Sequence, residues 1–403
     1  MPARYGRRVI EHLLLRNFRV IREAQLRLDR LTVLVGGNGA GKTSALHALH
    51  LLSQLEAGVR LSEMPLLREG LEPLARIDGE ERVREFELEA RGKDANQRER
   101  TATFSAQKLE QGAGAAPRWA WSYRAHAAGQ RPFEVSGDED ALATKAGSNG
   151  DRAGDGGVLL RLDPAQLALP SVEQGAPSNL RMNEAGAGLA AALSGMALNR
   201  PDDFAALQQD LRSVVPGVRR IRFDRVAVTA SEVELVHVGA DPQELRFRRT
   251  YPALRILLDT DQAEGVPADA ISEGTLIVLG LLAVLRTNER RGLLLLDDVD
   301  RALHPLAQHR LLELLREFLE RRPELQIVAT THSPYLLDKL KFEEVQVAAL
   351  LDDGTASFAG FDEHPAYERW RQEMHPGEYW SIAGESWIRE KRRGDPEKHE
   401  PAR

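Results

Sequence analysis

The stretch LTVLVGGNGAGKT, residues 31–43, decides the fold. Leu31 to Val35 is a short apolar run ending in glycine, the pattern of a buried strand. Gly36-Gly37-Asn38-Gly39-Ala40-Gly41-Lys42-Thr43 then satisfies the spacing G-x-x-x-x-G-K-[ST]. Ser44 continues into a helix expected from Lys42 to about Leu55. A polyphosphate carries several negative charges, so it needs many donors close together. Glycines let backbone N–H groups turn inward with no Cβ in the way. The helix start adds its positive dipole end, Lys42 reaches the terminal phosphates, and the Thr43 hydroxyl faces Mg²⁺. ATP and Mg²⁺ are therefore the expected ligands, with Gly36 to Ser44 as the cradle.

Downstream, Leu293 to Leu296 is a second apolar run and delivers Asp297 and Asp298 at its end. A parallel sheet presents ligand-binding groups at that end. Asp297 is expected to hold Mg²⁺ together with Thr43. Asp298 is expected to orient or deprotonate an attacking water. A strand capped by acidic turn residues is the plainer alternative, and the upstream loop weighs against it. Ile327 to Thr331 is a third apolar strand, followed by His332, which would meet a terminal phosphate if both strands end on one sheet edge. Between the two regions, Ser272-Glu273-Gly274 opens the apolar run Leu276 to Leu285. Ser272 reads as an N-cap with free donors beyond it. That is either a simple capped helix or a phosphate contact supplied to a second copy of the chain.

Around these motifs, His12–Phe18 and Ala24–Leu28 read as antiparallel strands, and the alternation in VREFELEA and TATFSA adds two more. Gly112–Pro117 and Val135–Gly157 read as surface excursions. Helices are expected over Glu184–Met196 and from Pro201 to before Pro216. The divisions expected are 1–110 as the first ATPase lobe, 111–157 as excursions, 158–250 as a helical insertion with a β segment, and 251–360 as the second lobe. Residues 361–388 form an aromatic-rich extension and 389–403 a disordered tail. The fold class is α/β, with a parallel or mixed sheet core flanked by helices, an antiparallel β subdomain and a helical insertion. The chain has 403 residues, no cysteine and a net charge of −7. Thiolate chemistry is thus excluded, no global basic field exists, and a cytoplasmic location is expected. The longest apolar run is about half of what a membrane-spanning helix needs, so no membrane partner is expected.

Taken in order, LRNFRVI, GGNGAGKT, ISEGT, LLLLDDVDRALHP and TTHSPYLLD resemble the RecF and SMC branch of ABC-type ATPases. Stand-alone members similar to the OLD family, including ATP-binding subunits of prokaryotic anti-phage systems, are the nearest in pattern. The resemblance implies that Gly36 to Thr43 are Walker A, Ser272 to Gly274 the signature, Asp297 the Walker B carboxylate and His332 the switch histidine. Leu303-His304-Pro305 match the segment beside the dimer contact. It further implies an ATP-dependent homodimer or higher assembly, in which Ser272, Glu273 and Gly274 of one copy face the nucleotide of the other. Two departures stand out: Asp298 replaces the usual glutamate and is about one methylene shorter, and Val299 and Asp300 replace the usual Pro and Glu. No TOPRIM-like acidic cluster follows residue 340, so DNA cleavage would fall to a separate effector encoded nearby. Trp370, Tyr379, Trp380 and Trp387 either anchor such an effector or pack on the chain's own core. The basic segments Arg219–Arg222 and Arg246–Arg249 either line a DNA groove or are solvated sheet edges. A phage component is a further expected partner, a RecF-like repair role the runner-up, and a transporter subunit the third reading.

Overall fold

The computed structural model describes residues 9–94, 97–109, 118–138, 156–172, 182–238, 241–287 and 292–393. Its elements in chain order begin with β1 (Val9–Phe18), β2 (Ile21–Arg27), β3 (Leu31–Gly36) and α1 (Lys42–Glu56). Next come β4 (Ile77–Asp78), β5 (Glu81–Arg82), β6 (Glu85–Lys93), β7 (Glu99–Leu109), β8 (Arg118–Ala127), β9 (Phe133–Asp138) and β10 (Val158–Leu160). The middle holds α2 (Pro164–Ala168), β11 (Ser171–Val172), α3 (Leu189–Asn199), α4 (Pro201–Val214), β12 (Val218–Val238), β13 (Asp241–Thr260), β14 (Val266–Pro267) and α5 (Glu273–Thr287). The remainder is β15 (Leu293–Leu296), α6 (Pro305–Arg321), β16 (Gln326–Thr331), α7 (Pro334–Leu337), β17 (Val345–Leu350), β18 (Ala356–Gly360), α8 (Tyr367–Trp370), α9 (Pro376–Ala383) and α10 (Ser386–Arg393). The chain divides into two units. One is Met1–Leu159 with Arg290–Arg301 and Leu315–Arg403, and the other is Leu160–Glu289 with Ala302–Leu314. Residues 251–360, expected as one lobe, contribute to both.

The first unit holds two six-stranded sheets. One is the antiparallel sheet β2-β1-β6-β7-β8-β9, and the other runs β10-β15-β16-β3-β17-β18. In the antiparallel sheet, β8 buries every second residue, so Trp119, Trp121 and Tyr123 point inward. There Phe86 lies 5.8 Å from Phe18, 6.0 Å from Phe104 and 5.8 Å from Trp119 between ring centroids. Deleting such a ring typically costs about 3–5 kcal/mol. The strands β3, β15 and β16 are buried along their whole length, as expected of strands covered on both faces. Gln326 joins the two sheets: its amide donates to Ile10 O (2.7 Å) and Asp29 O (3.0 Å) and accepts from Ile10 N (3.0 Å).

Register fixes what the sheet presents. β15 is parallel to β16, and both β16 and β17 are parallel to β3. Thr331 pairs with Val35 and Leu296 with Ala329, so the three expected motifs leave the same sheet edge. Ala348 pairs with Gly36 so closely that a Cβ at position 36 would stand 2.1 Å from Ala348 O.

In the second unit α5 is buried from Gly274 to Leu285, and α2, α3 and α4 pack on it. A helix apolar on all sides is a core helix, as its sequence required. Gly280 gives Leu167 its place, since a Cβ there would lie 2.6 Å from the Leu167 methyl group. Arg286 Nε donates to Asp210 at 2.9 Å and closes the far end of the helix. The helix expected to begin at Glu184 begins instead at Leu189, after a turn in which Asn183 Oδ1 accepts from three successive backbone N–H groups. The long hairpin β12–β13 pairs continuously from Arg220 with Asp259 to Val238 with Asp241.

At the carboxyl end α10 reaches Arg393, so helix occupies the first residues of the stretch expected as a tail. Expectations for Gly112–Pro117, for 139–155 and for 394–403 fall outside the described residues.

Candidate nucleotide site

The cradle forms where β3 stops and α1 starts. Gly36, Gly39 and Gly41 adopt φ values of 154°, 76° and 87°, conformations that favour glycine. Asn38 and Gly39 are exposed, and Ala40, Gly41, Lys42 and Ser44 are buried. Lys42 Nζ donates to Gly36 O at 2.8 Å and to Gly37 O at 2.9 Å, so the ammonium is held across the loop mouth. Burial pushes its pKa below the ordinary lysine value, against the pull of the Asp298, Asp297, Asp300 and Glu385 carboxylates.

Opposite the loop, the Thr43 hydroxyl donates to Asp297, 3.1 Å from either carboxylate oxygen. The fully buried Thr330 hydroxyl donates to Asp297 Oδ1 at 2.8 Å and accepts from Asp298 N at 2.8 Å. One threonine from β16 thereby holds both acidic residues that follow β15. Asp298 has φ 53°, in the left-handed region that aspartate tolerates, and its carboxylate lies 3.9 Å from His332 Nε2. Asp300 Oδ1 accepts from the Thr331 hydroxyl (2.6 Å) and from His332 N (3.3 Å), which fixes the turn carrying the histidine. Both Asp298 and His332 are about two-fifths exposed, so they stand open to a ligand.

Thr43 and Asp297 are neutral and anionic oxygen donors of the kind a hard divalent cation takes. Mg²⁺ usually completes its shell with water and phosphate rather than with a protein cage. Among the described residues no three His, Cys, Asp or Glu side chains cluster as such a cage. The donor set fits Mg²⁺ arriving with a nucleotide.

The expected residues Gly36 to Ser44, Asp297, Asp298 and His332 are thus brought together. Ser272, Glu273 and Gly274 lie in the other unit. There the Ser272 hydroxyl accepts from Thr275 N (3.3 Å) and lies 2.7 Å from the Thr275 hydroxyl, the arrangement of an N-cap. Ser272 and Glu273 are exposed, whereas Gly274 is buried, and a Cβ on it would come within 2.5 Å of Ala302 O. Thr330 and Thr331 were not singled out from sequence, and Asp300 was noted only as a departure from the family pattern. The only trace of the threonines was a pair of hydroxyl residues closing an otherwise apolar strand.

Over residues 31–338 the chain matches the family described as "AAA domain, putative AbiEii toxin, Type IV TA system", AAA_21. The chain belongs to that family. As an AAA_21 protein it carries the glycine loop, Asp297, Asp298 and His332 all inside the matched span. It is 24% identical to an OLD nuclease of Thermus scotoductus over 364 residues, which is 84% of this chain and 62% of that protein. It is 32% identical to the Septu protein PtuA of Bacillus thuringiensis over 69 residues, 17% of either chain. The chain thus spans less than two thirds of either curated relative. Among solved structures, an SMC head bound to the C-winged helix domain of ScpA covers 87% of this chain at 15% identity, and this chain matches 97% of it, with TM-score 0.49. RecF–ATP gives 89%, 15%, 100% and 0.41 for the same four quantities.

Two other sequence alternatives meet the structure here. Tyr379 and Trp387 are 2% and 4% exposed and pack with Phe361 and His364, so these rings serve the chain's own core. Arg219 and Arg222 meet Asp261 and Asp259 at 2.7 and 2.8 Å, so part of the basic charge of β12 is balanced locally. No helix among the described residues is long and apolar enough to cross a membrane.

Proposed function

We propose that this chain is an Mg²⁺-dependent ATPase whose two copies close head-to-tail around ATP. In that form it acts as the sensor and regulatory subunit of an anti-phage complex, controlling a separate effector, a nuclease. The observation that carries the reading is the junction of Thr43, Asp297 and Thr330 at the mouth of the glycine loop, with Asp298 and His332 beside it.

ATP would lie with its β- and γ-phosphates on the backbone N–H groups of Gly39 to Thr43. Lys42 would exchange the Gly36 and Gly37 carbonyls for phosphate oxygens. Thr43 and Asp297 would hold Mg²⁺, which would supply positive charge to offset that of the phosphates. Asp298 would accept a hydrogen bond from the attacking water and take its proton as the γ-phosphorus–oxygen bond to ADP breaks, while His332 steadies the transferred group. The exposed Ser272 turn, with the positive end of α5 behind it, is suited to meet the γ-phosphate held by a second copy. ATP would then cement the dimer, and its hydrolysis would release it. The shorter Asp298 leaves water alignment looser, so turnover is slow. The defence role draws on the names of the two relatives, an OLD nuclease and a Septu protein.

Lys42→Ala tests the foundation. It is expected to weaken ATP binding by more than about 100-fold, read by equilibrium titration of a fluorescent ATP analogue, because hydrogen bonds to charged groups contribute about 1.5–3 kcal/mol each. Undiminished affinity would remove the nucleotide site.

A further inference from the structure

The carboxyl-terminal helices touch the nucleotide site at two points, both within the first unit. At one end, α9 packs on α7, the helix that begins two residues after His332. The contact is close: a Cβ on Gly377 would stand 2.0 Å from the backbone oxygen of Pro334, and Glu378 N donates to the side chain of Asp338 at Oδ1, 3.2 Å away. At the other end, the turn between α9 and α10 brings Glu385 onto the glycine loop. Its Oε1 lies 3.2 Å from where a Cβ of Gly37 would be. Arg389 is 3.9 Å from this carboxylate, too far for a hydrogen bond, so the negative charge is only loosely balanced by its neighbour.

The helices on either side of Glu385 are seated, α9 through Tyr379, which is 2% exposed, and α10 through three contacts. Trp387 is buried against His364, with ring centroids 5.0 Å apart, Ile388 is 2% exposed, and Lys391 pairs with Glu363 at 3.0 Å. A carboxylate is therefore held, by an ordered element, at the mouth of a cradle whose chemistry is to gather phosphate. Its field favours the charged form of Lys42, whose own hydrogen bonds go to Gly36 and Gly37. Gly37 and Lys42 are folded by their own bonds, and a carboxylate opposes an incoming polyanion.

We propose that Glu385 is an electrostatic gate of the nucleotide site, repelled by the terminal phosphate of ATP, so that γ-phosphate binding shifts the turn between α9 and α10. This rests on the nucleotide-site reading above. Through Gly377 and Pro334 the same helices touch the segment after His332, so they register the γ-phosphate at both ends. ADP lacks that phosphate and leaves the gate closer to rest.

The test is the ratio of ATP to ADP affinity in Glu385→Gln, measured on the full chain with Mg²⁺. Removing one charge near a doubly charged terminal phosphate is expected to tighten ATP binding about fivefold, with a smaller change for ADP. Hydrogen exchange over residues 376–393 of the wild type is expected to change on adding a slowly hydrolysed ATP analogue more than on adding ADP, and the difference shrinks in Glu385→Gln. An unchanged or lowered ATP-to-ADP ratio in the variant overturns the gate. Lys42→Ala separates the two failures: loss of binding there with no effect of Glu385→Gln removes the gate alone, whereas retained binding removes the site on which it rests.

Discussion

Replacing Thr330 by valine keeps the shape of a fully buried side chain and removes one hydroxyl. That hydroxyl gives Asp297 a hydrogen bond and accepts the Asp298 N–H, each at 2.8 Å. A bond to an ionised carboxylate contributes about 1.5–3 kcal/mol, and an orphaned N–H costs about 1–3 kcal/mol. If roughly half of that sum is felt in the transition state, the barrier rises by about 1.3–3 kcal/mol, or about 10- to 150-fold in kcat. The assay is steady-state hydrolysis across a Mg²⁺ titration, alongside ATP affinity in chelator. Expected are the fall in kcat and a higher Mg²⁺ requirement, with chelator-measured affinity within about twofold because Lys42 and the loop are untouched. Thr330→Ser, which keeps the hydroxyl, is expected to retain most activity. Wild-type kcat in the valine variant would refute the idea that this threonine sets the two carboxylates. A serine variant as slow as the valine one would refute it equally, by showing that packing alone is at stake.

Asp298→Asn removes the proton acceptor, and general-base contributions of 10² or more predict hydrolysis at least about 100-fold slower. The ATP-bound dimer should then persist in size-exclusion light scattering, and unaltered turnover would exclude Asp298 as the water-orienting group. Ser272→Arg, at an exposed cap, is expected to leave monomer affinity for ATP intact and to prevent ATP-dependent dimerisation in the same light-scattering measurement. Wild-type hydrolysis by that variant would argue for a monomeric mechanism. Acid should loosen the carboxyl-terminal helices. Burial between Tyr379 and Trp387 depresses the pKa of His364 in the folded chain, and its Nδ1 accepts from Ala366 N at 3.0 Å. The unfolded segment therefore takes the proton more readily: stability is full above about pH 6.5 and is lost as pH falls through the lower, folded value. Tryptophan emission from pH 7.5 to 5 reads this, and a His364→Phe variant that declines in parallel would clear the histidine of responsibility.

The glycine loop, the paired aspartates and the histidine were legible because each closes an apolar strand, and parallel strands end on one edge whatever lies between them. Ser272 was legible as a cap for the same local reason. The meeting of Thr43 with Asp297 was foreseen, but other contacts made by tertiary juxtaposition escaped. Thr330 meets Asp297 across two strands, Asp300 meets His332 only because two turns lie side by side, and Glu385 stands nearly 350 residues from Gly37 in a charged segment of no distinct period. The aromatic cluster shows a subtler limit. Trp387 and Tyr379 have the composition of an interface anchor and of a core residue alike, and only burial distinguishes them. The start of α3 at Leu189 was misplaced because Asn183 captures three backbone donors, a local competitor that the helical pattern does not reveal.

The pairing of Gly36 with Ala348 has an implication for how such chains change over time. Residues 42 and 43 answer to the ligand, and in a lineage that abandoned ATP they would be free to drift. Position 36 answers also to the neighbouring strand, whose carbonyl leaves no room for even one methyl group. A descendant that had lost its chemistry would still display that glycine, a fossil of architecture rather than of catalysis.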